Sequence, residues 1–452
     1  MIPAAGGGRQ APLAPTEPLP DPEVRLPEPG ERERATVLRH ANVVDVVAGA
    51  IVPNMDVHVV RGRVVAMGED LTAAGVADVD LAGRFLMPGL IDLHVHPGMM
   101  VGLRMDPGGM TAERVKRDLQ VWLRYGVTSV QALGTDRDCA FDVQREQADG
   151  AFAGARLFTV GHGFGVRGGL PPFQMDPPGP VRVDDPEAIG QVLADLKSRG
   201  ASGVKLWYDD WYQQMPKMAP EVARTIIEGA RRSGLETYAH VYRLDDAVLL
   251  MDLGVGVLAH MPRDREADGP FLDKLLATGT VVLPTLTVPE SNAVFPDRPD
   301  WVADPLLGRF LPPGTAEYLR DERYLDTIRQ KPEYPELKPE LQVAQRNTRL
   351  VSEAGAAMAF GTDGGVSNRV VGFYDHRELE LLVAAGVTNA DALRMATVNA
   401  AATLGQAGAL GVIATGARAD LVVLRGDPFE DIRSTRAIDA VWLDGVPVCG
   451  AL

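Results

Sequence analysis

Cysteine is nearly absent: Cys139 and Cys449 are the only two, and no CxxC pattern joins them. That excludes a disulfide framework and a cysteine metal site, leaving two ordinary thiols. No Lys/Arg run occurs either, and a formal net charge of -16 repels phosphate backbones and anionic membranes, so nucleic acid is not an expected partner. Nowhere does an uninterrupted apolar stretch approach the roughly 18 residues of a membrane span, and the N-terminus lacks a basic patch before an apolar core. The cytoplasm is the expected location. Pro12, Pro15, Pro18, Pro20, Pro22, Pro27 and Pro29 give the N-terminal arm the composition of a linker or trimmed leader, which leaves an exported form open.

What is present is a globular composition, 46% hydrophobic and 23% charged, able to bury a sizeable core. Short alternating segments come first: Thr36 to Val47, Asp56 to Val60 and Arg63 to Met67, the last two joined at Arg61-Gly62 as in a hairpin. From Leu90, apolar strands alternate with amphipathic helical stretches, the pattern of βαβ units. Eight strands are expected: Leu90 to His96, Val127 to Gly134, Arg156 to Gly161, Gly203 to Tyr208, Glu236 to Tyr242, Gly256 to His260, Val281 to Thr287 and Met358 to Gly364. Helices are expected over Thr111 to Tyr125, Pro186 to Arg199 with Asp184 or Asp185 as N-cap, Pro220 to Ser233, Gln342 to Glu353 and Ala390 to Leu404. Asp420 to Leu424 and Ala437 to Asp444 return to β character, turning at Asp444-Gly445.

The fold class this predicts is α/β: a (β/α)8 TIM-type barrel with a small β-sandwich domain built from both chain ends. Its expected parts are a Pro/Gly-rich arm (1–35), the first part of the β-domain (36–86), the barrel (87–405) and the second part of the β-domain (406–452).

Side chains two apart on a strand share a face, so His94 and His96 point the same way and can grip one cation. A Pro88-Gly89 turn launches the apolar strand that ends in this pair. With Met87-Pro88-Gly89-Leu90-Ile91-Asp92-Leu93-His94-Val95-His96, the chain resembles the amidohydrolase superfamily, from about Thr36 onward. The resemblance implies further metal ligands at strand ends: Lys205 in Gly203-Val204-Lys205-Leu206-Trp207, His240, His260, and Asp363 in Phe360-Gly361-Thr362-Asp363-Gly364-Gly365. Lys205 lies among apolar neighbours, where burial lowers an amine's pKa and leaves it able to capture carbon dioxide. The resemblance makes that carbamate a bridge between two divalent metals, and N and O ligands suit Zn2+. The structural alternative is a lysine that snorkels or pairs with Asp209.

Two such metals, about 3.5 to 4 Å apart, share a hydroxide that attacks a polarised carbonyl. The matching family aspartate moves protons, which makes Asp363 general base and then general acid. His162, in Val160-Gly161-His162-Gly163, resembles the position from which prolidase-like members polarise the substrate, and Tyr242 matches a substrate-binding tyrosine. Arg243 is a weaker candidate for a substrate carboxylate, because it alternates away from Tyr242. His376, near the start of a helix, reads as packing rather than as a ligand.

Deaminase-type members follow the fifth-strand histidine with a glutamate, whereas Val241, Tyr242, Arg243 and Leu244 follow His240 here. The stretch Gly372 to Leu379 resembles prolidase and aryl-peptide amidase relatives. The function implied is a metal-dependent hydrolase acting on carbon-nitrogen bonds of a small molecule: an Xaa-Pro dipeptide, N-acyl amino acid or related amide. Alternatives are a lactonase or phosphotriesterase on the same site and a mononuclear imidazolonepropionase-like cyclic amide hydrolase; a non-enzymatic scaffold would show an eroded ligand set. A homo-oligomer fits the resemblance. The long segment Pro289 to Leu341 reads either as a lid over the site or as packing on the barrel flank or a neighbour.

Overall fold

In a computed structural model that describes residues 19–72, 76–172, 181–182 and 186–452, the run Leu90–Val95 is a strand buried at every position. Val127–Ala132 and Gly203–Trp207 are buried throughout as well, as parallel strands covered on both faces must be. Leu90–Val95 pairs in parallel with Val127–Ala132, and that strand with Arg156–Thr159. Gly203–Trp207, Glu236–His240, Val257–Ala259 and Val281–Leu283 follow in order, again parallel. The two groups meet where the Ser202 N–H donates to the Thr159 carbonyl at 2.8 Å.

The expected strand Met358 to Gly364 is not a regular ladder; it keeps single parallel bridges, Met358 to Val282 and Gly364 to Val95. Between them the Ala359 N–H reaches Val282 at 3.0 Å and the Leu93 N–H reaches Phe360 at 3.1 Å, so this segment touches both the seventh and the first strands. The ladder breaks because the Asp92 carboxylate takes the Thr362 N–H at 3.2 Å and its hydroxyl at 2.5 Å. The other expected strands end one to four residues early, and His96 and His260 lie just past the ends of theirs.

Helices cover these strands. Ala112–Arg124 is capped by Thr111, whose hydroxyl accepts the Arg114 N–H at 3.3 Å. Pro186–Ser198 and Pro220–Arg232 begin on the expected prolines, while the N-cap expected at Asp184 or Asp185 lies outside the described residues. The helix expected from Gln342 starts instead at Tyr334, because Pro339 stands inside it rather than ending it. Ala390 to Leu404 is broken into Asn389–Arg394, a wider π-turn over Met395–Asn399 and Ala400–Thr403. Helices at Cys139–Ala148, Leu244–Asp252 and Gly269–Thr278 were not expected, while Phe373–Ala384 is the helix expected to begin near His376.

Both chain ends enter one eight-stranded sheet, joined where Phe85–Pro88 runs antiparallel to Leu421–Leu424. Its turns are those the sequence predicts: Arg61-Gly62 (φ 50° and 70°) and Asp444-Gly445 (φ 48° and 74°) are left-handed, as tight hairpins require. The sheet has its own core of Leu38, Val43, Val57, Val59, Leu421 and Trp442. Arg156, on a parallel strand, ties it down through Asp420 (3.2 Å) and Asp444 (3.1 Å). The 289–341 segment packs rather than dangles: Leu307, Leu319, Leu325 and Ile328 are buried, and Arg117 donates to the Phe310 carbonyl at 2.7 Å.

Candidate metal centre

His94 and His96 leave the first strand on one face, and both Nε2 atoms face the same Asp363 oxygen, at 3.3 and 2.7 Å. The His260 ring lies 4.9 Å from His94 and 4.5 Å from His240. Ligand atoms of His94, His260 and Asp363 all lie within 4.8 Å of one another. Five of the six expected ligands therefore form one contiguous group. Lys205 is fully buried in the fourth strand, in register with Tyr238, and its Nζ has no hydrogen-bond partner among the described residues. It does not pair with Asp209, whose carboxylate serves His240 instead.

Two of these positions, and Thr285 beside His260, depend on unusual backbone. His260 (φ 89°), Thr285 (φ 47°) and Asp363 (φ 56°) are left-handed without being glycine, a strain that concentrates at functional sites. At Gly361 an added Cβ would come within 3.0 Å of the His94 Cβ, so glycine lets the Asp363 segment lie against the first strand.

Electrostatics keeps the nitrogens free. Burial holds His94 and His260 well below the usual histidine range and lowers His96 and His240 too, leaving neutral imidazoles. Burial also pushes the Lys205 amine down to about 7, against the pull of Asp363. For Asp363, burial would raise the carboxyl, but the adjacent Arg369, with His94 and His96, holds it well below the usual carboxylate range.

Hydrogen-bond direction tests the fit to a cation. Asp209 can only accept as a carboxylate, so His240 donates from Nε2 at 3.1 Å and keeps a lone pair on Nδ1. The Thr285 hydroxyl donates to the Pro284 carbonyl at 2.8 Å, so it accepts from His260 Nδ1 at 2.6 Å, and His260 keeps its lone pair on Nε2. Those two lone pairs face each other at 2.9 Å, an arrangement that calls for a cation between or beside them. The donor set fits a divalent metal.

Two expected substrate residues stand differently. His162 Nε2 faces Asp138 at 3.5 Å, and its Nδ1 is buried without a hydrogen-bond partner among the described residues. The Tyr242 hydroxyl donates to Glu340 at 3.0 Å, alongside Tyr212 at 2.5 Å and Arg263 at 3.2 Å. Arg243 turns toward Asp210 at 3.4 Å. His376 packs, bonded to Thr435 (2.9 Å) and the Tyr125 carbonyl (3.0 Å).

Sequence reasoning missed the residues that brace the cluster. Arg369 grips Asp363 through its side chain and carbonyl, both at 2.7 Å. Asp92 accepts the His94 N–H at 2.8 Å; burial, with Asp92 beside it, raises the Asp375 carboxyl well above the usual carboxylate range, and Trp122 donates to Asp375 at 3.1 Å. Asp92 sat inside the quoted motif and was legible there; Arg369 and Asp375 had no spacing signal.

The fold is shared with a solved Xaa-Pro dipeptidase structure with bound methionine in the active site, at a TM-score of 0.73, 21% identity, and coverage of 92% of this chain and 100% of that one. Among curated proteins, the chain is similar to the imidazolonepropionase of Geobacillus kaustophilus, 23% identical over 425 residues that cover 82% of this chain and 84% of that enzyme. It is also 26% identical to the dihydroorotase of Pelotomaculum thermopropionicum over 204 residues, covering 45% of this chain and about two-fifths (41%) of that enzyme's length. Residues 85–448 match the amidohydrolase family, and the chain belongs to it, a family of hydrolytic enzymes that use divalent metals. No helix among the described residues is long and apolar enough to cross a membrane.

Proposed function

We propose that this chain hydrolyses the amide bond of an Xaa-Pro dipeptide, an N-acyl amino acid or a related amide at a two-zinc centre. The observation that carries the reading is the pair of facing lone pairs on His240 and His260, beside an Asp363 oxygen shared by His94 and His96. In this reading His94, His96 and Asp363 would hold one metal and His240 and His260 the other, with carboxylated Lys205 as a further ligand. Bound metal supplies Lewis acidity and a hydrolytic nucleophile at neutral pH.

Asp363 is the proton carrier. Its Oδ1 faces the histidines and its Oδ2 is fixed by Arg369, so the carboxylate cannot rotate away while it takes a proton and hands it to the leaving amine. His162, through its unpartnered Nδ1, and Tyr242, once turned from Glu340, orient the substrate carbonyl and tail.

The same reading extends to architecture. The pairing that returns from Met358–Gly364 to the first strand supports a closed (β/α)8 barrel over 87–405, whose strand C-termini carry the site. The separate core of the terminal sheet supports a β-sandwich made of 36–86 and 406–452.

The test is to load the protein with zinc in bicarbonate and assay Xaa-Pro dipeptides, N-acyl amino acids, lactones and aryl phosphotriesters, with Asp363→Asn as background. Leading rates on the amides support the reading. Leading rates on lactones or phosphotriesters overturn the substrate class.

A further inference from the structure

The fourth strand ends at Trp207, and the chain then does something expensive: Trp211, Tyr212 and Gln213 are three successive non-glycine residues in left-handed conformation (φ 45°, 56° and 64°). The coil wraps the loop around Asp209. Its Oδ1 accepts the Asp210 N–H at 2.7 Å and the Trp211 N–H at 3.1 Å, and the residue is 5% exposed. With one oxygen tied to the backbone, the other has a fixed direction, and it meets His240 Nε2 at 3.1 Å.

We propose that Asp209 is a positioning residue: it fixes the His240 ring with its proton on Nε2 and its lone pair on Nδ1, and so controls binding of the second metal alone. The inference rests on reading the cluster as a metal site, and it adds a carboxylate that belongs to no ligand position. His260 has only a neutral threonine hydroxyl in the corresponding place, so the two rings are oriented by partners of different strength. A carboxylate behind a metal-binding imidazole sets its tautomer and raises its donor strength, and loss of such a partner costs about 10- to 100-fold in metal affinity.

The isosteric variant separates this role from a merely structural one. In Asp209→Asn the amide oxygen still accepts the Asp210 and Trp211 N–H groups, so the loop is kept. The amide NH2 then faces His240 Nε2, which must accept, and the ring proton moves to Nδ1, the nitrogen that faces His260. A structural role makes Asn mild and Ala severe; a tautomer role makes Asn at least as severe as Ala.

The experiment is metal titration with zinc and with cobalt, read by bound stoichiometry and cobalt absorption, on the wild type, Asp209→Asn and Asp209→Ala. Long-range 1H–15N spectra of the histidine-labelled, metal-free proteins run in parallel. The expected result is two metals per chain in the wild type, with one of them weakened 10-fold or more in Asp209→Asn and the other unchanged. His240 is expected as the Nε2–H form in the wild type and the Nδ1–H form in Asp209→Asn. Unchanged affinities in Asp209→Asn, or equal weakening of both metals, overturns the proposal. If the wild type binds no metal, the metal reading fails by itself, and the spectra still decide: an Nδ1–H His240 in the wild type overturns the assignment, and the Asn-induced switch upholds it.

Discussion

Lys205 sits at 0% exposure with no hydrogen-bond partner for its amine among the described residues, and its pKa falls from 10.5 to about 7 because burial penalises the charge. Between those values the unfolded chain binds the proton and the folded chain does not, so stability of the metal-free protein rises with pH from about 7 to about 10.5. Lys205→Met removes the titrating group, and the difference in thermal midpoint between wild type and variant should climb over that window; a flat difference would contradict burial of a neutral amine. Lys205→Ala should also lower bound metal along with rate. For Asp363, the Asn variant should keep the fold and lose about 10²- to 10⁴-fold in kcat, the usual worth of a positioned proton carrier. Arg369 holds Asp363 low, so Arg369→Gln should shift the acidic limb of kcat/KM to higher pH. An unmoved limb would show that Asp363 does not set it.

At the level of elements, the helix Phe373–Ala384 is the clamp. Glu378 accepts the Leu286 and Thr287 N–H groups at 2.8 Å each, Asp375 meets Asp92, and His376 ties the helix to Tyr125 and Thr435. Burial, then Arg436, lowers His376 to about 3, so the unfolded state takes a proton first as the medium acidifies, and stability drops as pH falls from about 6.5 toward about 3. In His376→Gln the urea midpoint should depend less on pH across that range. The start of this helix near His376 was legible, but its extent was not, because its buried face carries Asp375, His376 and Glu378 among apolar residues, which blurs the periodicity that marks a helix. The insertion helix Tyr334–Glu353 was cut short in the sequence for a related reason: Pro339 reads as a breaker, yet the fully engaged Glu340 beside it anchors that turn. Glu340→Ala leaves Arg263 buried without its carboxylate, and about 3 to 5 kcal/mol of stability should be lost in chemical denaturation.

For the whole molecule, the two chain ends are interdependent. A chain ending at residue 436 loses Ile438–Leu443 and Val446–Cys449, leaves Leu421–Leu424 with an open edge and removes the carbonyls of Gly450 and Ala451 that Arg124 holds. It should aggregate or unfold rather than yield a stable barrel, as judged by solubility and circular dichroism; a soluble, cooperatively melting product would show that the parallel strands stand without the sheet. The sequence by itself determined the strand order and the family motif. It also placed His94 and His96 on one face, because a two-residue period needs no knowledge of neighbours. Tertiary structure alone decided that Asp363 is gripped by Arg369, that Tyr242 is turned to Glu340 and that Asp209 stands behind His240. Each of these joins side chains on different loops or elements, and hydrogen-bond direction between such groups exists only once the chain has brought them within 3 Å or so.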